Sequence, residues 1–187
     1  MMYDRIRPSW IVRLALWQGW GITLRVVLLI LLAEVLQGVL APRIAIAGAV
    51  PNFPLVALAC IAMRTNPTLA AWAGFLSGLI EASLQNHLIG SFIVSRVLAC
   101  YATAFLPMTL NPQRRLSAVL ALLILTTLAQ GLLYLFAPSV LGGEFVETNL
   151  RALVYNIGMV LLAFGICRRW LPLSLLEDDR RYGTFNL

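Results

Sequence analysis

The chain has 187 residues, of which 60% are hydrophobic and 12% charged, and its formal net charge is +6. A soluble domain carries about 25% charged residues, so this composition excludes a soluble enzyme, a disordered chain and a basic nucleic-acid binder. It leaves a polytopic membrane protein, with room for about six helices at roughly 25–30 residues per span and loop.

All 14 basic residues are Arg. The residues divide into an N-terminal cytoplasmic or interfacial segment (1–19), a six-span transmembrane domain (20–170) and a cytoplasmic tail (171–187). Residues 9–19 are expected to form a separate helix lying in the interface. The first span covers about 20–40, with Arg25 one turn inside, where its long side chain can snorkel, and with Glu34 near its far end. Pro42 ends it. A link at 43–51 leads to a short second span at about 52–63. A tight polar turn, Arg64-Thr65-Asn66-Pro67, precedes the third span at about 68–84. The fourth span follows the turn Gln85-Asn86-His87 and covers about 88–106. The fifth, 116–137, is uncharged and long enough to cross a hydrocarbon core of about 30 Å. Residues 138–149 read as a polar loop, and the sixth span lies between Arg151 and Arg168.

Ten arginines fall in loops and termini on the N-terminal side of this layout: Arg5, Arg7, Arg13, Arg64, Arg114, Arg115, Arg168, Arg169, Arg180 and Arg181. Arg43 and Arg151 fall on the other side. Basic loops stay in the cytoplasm, so both termini are expected there.

Ionisable groups within spans are expensive and default to a functional hypothesis. Glu81 and Arg96 sit on opposite arms of the third–fourth hairpin, and at 1.5 Å per residue their backbone depths differ by about 5 Å. An ion pair between them is predicted, either as a structural lock or as part of a polar cavity or partner contact. Glu34 is a third buried-charge candidate. Ala70, Gly74 and Gly78 recur every four residues, a small-residue face that lets helices approach closely. That face packs either within the subunit or against a partner, and a homo-oligomer is one such partner.

The residues give no catalytic set. Leu76-Ser77-Gly78 partly matches the nucleophile motif of rhomboid proteases, but Phe75 stands where Gly is needed. The sole histidine, His87, lies about 15 Å along a helix from Ser77, far beyond hydrogen-bond reach. Cys60, Cys100 and Cys167 lie in apolar runs with no metal-ligand spacing and read as small packing residues. A non-enzymatic chain without cofactor or metal is expected.

One stretch carries a family resemblance. Pro51-Asn52-Phe53 opens the short second span. Gly74-Phe75 with Gly78, then Glu81, Gln85-Asn86-His87, Gly90 and Tyr101 follow in order. This segment, residues 50–101, resembles MreD, the membrane protein of the bacterial rod-shape system. That family's acidic residue is usually Asp, one position later relative to the Gly, and Arg96 matches no family feature. The resemblance implies a scaffold in the inner membrane that binds the single-span protein MreC. Through it the scaffold links the actin-like MreB to the polymerase RodA and its transpeptidase partner during peptidoglycan elongation. It also implies a fold similar to the vitamin-binding S-components of transporters, and a small-molecule-binding transporter subunit is the alternative function.

Overall fold

A computed structural model describes residues 9–45, 49–85, 88–137 and 144–171. Among the described residues the structure is all-helical, and its apolar helices mark a membrane-embedded protein. These residues form six helices, α1 (Ser9–Val39), α2 (Phe53–Ala62), α3 (Pro67–Gln85), α4 (Ile89–Thr103), α5 (Arg115–Phe136) and α6 (Glu144–Trp170), with short 3-10 turns at Ala41–Ile44 and Leu106–Met108. Segments of α1, α5 and α6, and α4 with the turn that follows it, are each long and apolar enough to cross a membrane. Their outward faces are apolar too: Leu24, Leu28, Leu31, Leu32 and Val35 are exposed on α1, and Val154, Leu161, Leu162 and Ile166 on α6. Such a surface suits lipid and not water.

Local chemistry sets the helix starts. Before α3, the Asn66 side chain accepts a hydrogen bond from the Leu69 N–H at 2.8 Å. Pro67 then occupies the first helical position, where its missing N–H costs nothing. Asn52 caps α2 in the same way, accepting from the Leu55 N–H at 3.0 Å.

Three features differ from the sequence expectation. Residues 9–19 do not form a separate interfacial helix; they continue α1, which runs unbroken for 31 residues, about 46 Å at 1.5 Å per residue. Residues 144–149 are not loop: they form the first turns of α6, with Tyr134 and Phe145 rings stacked at 6.1 Å and Glu147 paired with Arg151 one turn on. Most consequentially, α2 is not a full span. Its 10 residues cover about 15 Å, half of a hydrocarbon core of about 30 Å.

Every residue of α2 is buried, and the helix touches all five others. Ala57, Ala59, Cys60 and Ala62 keep it slim enough for that. It runs parallel to α6: Asn52 meets Asn156 at one end, and Arg64, just past the other end, meets Arg168 and Leu171. Ile44, shortly after α1, therefore lies beside the middle of α6, where its carbonyl accepts from the Tyr155 hydroxyl at 2.8 Å. Beyond the start of α2, the centre of the bundle is left to side chains from its neighbours.

The arginine-rich end is tied together by backbone carbonyls. Arg64 is buried and donates through Nε to the Leu171 carbonyl at 2.6 Å, and Arg25 donates to the Trp170 carbonyl at 3.2 Å. Both cations sit where the α6 dipole and its unpaired carbonyls are negative.

Candidate functional site: a polar cavity at the start of the half-length helix

A helix start inside a membrane exposes amide donors that lipid cannot satisfy. At α2 three side chains do so. The Asn52 N–H donates to Asn156 Oδ1 of α6 at 2.7 Å, and the Phe53 N–H to Gln37 Oε1 of α1 at 2.9 Å. Pro54 has no N–H, and the Leu55 N–H goes to Asn52 itself. Each early amide is thus either paired or absent, and α1, α2 and α6 are joined at one polar knot.

Directly at this knot lies a cavity of about 230 Å³, lined in part by Gln37, Asn52, Glu81, Thr126, Asn149 and Asn156. It draws its wall from α1, α2, α3, α5 and α6. The Thr126 side chain is buried and its hydroxyl has no hydrogen-bond partner.

On one side of the cavity, Glu81 Oε2 accepts from Arg96 Nη2 at 2.5 Å. Helical side chains lean toward their own N-terminus, so on this antiparallel hairpin Glu81 and Arg96 lean toward each other, which closes their offset in depth. Arg96 is 1% exposed and its Nη1 has no partner, whereas Glu81 is 17% exposed. Glu34, buried on α1, accepts from the Ser77 hydroxyl at 2.8 Å and lies within electrostatic range of both members of the pair. The three sequence-identified charges are therefore one cluster.

The small-residue face has its partner inside the subunit. A Cβ on Gly74 would stand 2.6 Å from the Arg96 carbonyl oxygen, and one on Gly78 would stand 2.9 Å from Ile93 Cα. Ala70 is fully buried. Helix α4 occupies this face, so docking of another chain against Gly74 and Gly78 is ruled out while the hairpin is closed. Gly90, by contrast, has open space around its Cα. Pro51 and Phe53 are buried at the α2 start and Asn52 partly so. Asn86 and His87 lie outside the described residues.

Sequence reasoning did not single out Gln37, Thr126 or Asn156. Gln37 and Asn156 each interrupt an apolar stretch with one carboxamide, and that oddity was the available signal; Thr126, beside Thr127, carried none. The cysteines are buried, with Cys60 and Cys167 in mutual contact, and among the described residues no cluster of three metal-ligating side chains forms. Compared with known protein families, with curated proteins and with solved structures, the chain matches none.

Proposed function

We propose that this chain is a non-enzymatic membrane scaffold of the MreD type, acting in rod shape and peptidoglycan elongation in the bacterial inner membrane. It binds an MreC-like single-span protein and so links MreB to RodA and its transpeptidase partner. One observation carries this reading: the segment that bears the resemblance is also one structural unit. Asn52 caps the buried helix, Gly74 and Gly78 close the hairpin, and Glu81 holds Arg96. These residues fix a rigid α2–α3–α4 core, as befits a scaffold whose chemistry is recognition.

With the glycine face taken by α4, the partner docks on an outward apolar face. The stripe Leu24, Leu28, Leu31 and Val35 on α1 is the surface proposed. The arginines at the end of α2, the start of α5 and the end of α6 support a cytoplasmic location for that end and for both termini.

The test is co-purification of the full chain with an MreC-like protein from the same genome. Recovery of a stoichiometric complex is expected, lost when Leu28 and Leu31 are both changed to Trp. Absence of any complex with the wild-type chain refutes the scaffold reading. A reporter active only outside the membrane should give signal when fused after Gly143 and none after Leu187; the reverse overturns the orientation. The polar cavity favours a second reading, a small-molecule-binding transporter subunit, for which a transporter ATPase would co-purify instead.

A further inference from the structure

The polar cavity has a neighbour. A second cavity of about 220 Å³ runs between α5 and α6 and is lined by Gly131, Tyr134, Phe145, Leu150 and Leu153, among others. Its exposed surface is mostly apolar, although Thr127 and Gln130 also line it. Thr126 and Asn149 line both cavities, so the two adjoin at those residues. A polar chamber in the bundle centre thus meets an apolar groove on its side.

The polar chamber is rich in donors. The side-chain oxygens of Gln37, Asn52 and Asn156 are committed to the α2 amides, which also fixes the orientation of each carboxamide. What each still offers is its NH₂ group, with two donors. The Thr126 hydroxyl, buried and unpartnered, adds one more polar group at the junction. Such a wall wants oxygen acceptors. It does not want an anion: Glu81 lines the chamber and Glu34 stands nearby, while Arg96 is already engaged by Glu81 and Arg151 by Glu147. Nor are the α2 amides free to bind an anion, since side chains hold them.

We propose that the two cavities form one binding site for a single-chain amphiphile with an uncharged, hydroxyl-bearing head. The head lies in the chamber at the start of α2, and the chain leaves past Thr126 into the α5–α6 groove. On binding, the Thr126 side chain, whose hydroxyl is otherwise sealed off, turns to bond the head where the chain begins, which relieves a costly buried orphan. The site goes beyond the scaffold reading and does not depend on which protein co-purifies.

The test uses the full chain in phosphatidylcholine nanodiscs with a monoacylglycerol carrying a photoreactive diazirine in its acyl chain. Saturable labelling is expected on α5 and α6 around Gly131, Tyr134 and Leu153. Unlabelled monoacylglycerol should compete at least about tenfold better than the fatty acid of equal length, a difference of about 1.4 kcal/mol. Gly131→Leu should abolish saturable labelling: a Cβ there meets no atom within 4 Å, so the side chain fills the groove without displacing its walls. Thr126→Val, nearly isosteric, should raise the competitor concentration needed by about tenfold, the worth of one hydrogen bond. It keeps the test decisive if Gly131→Leu fails to fold. Three results would overturn the proposal: equal competition by the fatty acid; labelling spread over all lipid-facing helices and unmoved by either variant, which means bulk lipid contact only; or no saturable labelling, which means the chamber holds water only.

Discussion

Changing Glu81 to Gln removes the acceptor charge of a pair whose two members are unequally buried. Arg96 is 1% exposed and already has one guanidinium nitrogen without a partner. With the carboxylate gone, its cation is sealed between α3 and α4. Breaking a buried pair in this way costs about 3–5 kcal/mol. The reverse change, Arg96→Gln, leaves a carboxylate that is 17% exposed and lines a polar cavity. Water there can hydrate it, so its penalty is nearer that of an ordinary lost hydrogen bond to a charged group, about 1.5–3 kcal/mol. The double variant leaves no lone charge and should cost less than the sum, with a coupling energy of about 1.5–3 kcal/mol. The assay is reversible unfolding in mixed detergent micelles, following helix content for wild type, both singles and the double. Two results would refute the reasoning: single effects that add to within about 0.5 kcal/mol, or a larger loss from Arg96→Gln than from Glu81→Gln.

The same assay checks the hairpin and the caps. Gly74→Ala and Gly78→Ala should each cost about 1–3 kcal/mol, because the new methyl meets backbone at 2.6 Å and 2.9 Å and the helices must part. Gly158→Ala, with no atom within 4 Å, should be neutral or stabilising by up to about 1 kcal/mol; equal losses at all three sites would mean that the α3–α4 approach is not tight. Asn156→Leu orphans the Asn52 N–H and should cost about 1–3 kcal/mol. Hydrogen exchange should then rise first at residues 52–56, and a rise confined to α6 would count against the cap. Arg64→Met removes the donor to the Leu171 carbonyl; it should cost about 1 kcal/mol and speed exchange in the last turn of α6 while leaving α5 unchanged.

What the sequence disclosed and what it hid divide along a physical line. Features set by neighbours in the chain were legible: Asn66-Pro67 and Pro51-Asn52 as helix starts, Gly74 and Gly78 as a close approach, and the Glu81–Arg96 pair, whose partners are 15 residues apart on one hairpin. Features set by distant neighbours were not. Asn156 reaches Asn52 across 104 positions and Tyr155 reaches Ile44 across 111, and nothing local in either helix marks them as partners. Polarity misled at 144–149, because Glu, Thr and Asn there read as loop; the Tyr134–Phe145 stack and the Glu147–Arg151 pair favour helix instead. The second helix misled differently. Its 10 residues are apolar enough for a span, and their number alone argued for a buried core helix.

The half length of α2 has consequences at both ends of the bundle. Where α2 is present, every residue of it is buried, and the bundle is filled by Ala, Cys and branched side chains from five neighbours. Between helices in lipid the gain comes from close packing more than from apolar burial, so this half is the rigid one. Where α2 is absent, the same six-helix frame must close over a gap, and it does so with carboxamides, hydroxyls and a charge cluster. These groups meet their partners at the α2 start and leave Thr126 without one. Local opening is cheapest where few packed contacts hold a region. The polar half is therefore the part that can admit a ligand or change shape without unfolding the rest. The Asn52 knot stands at the boundary, joining α1, α2 and α6, and Arg64 just past the other end of α2 ties it to the end of α6.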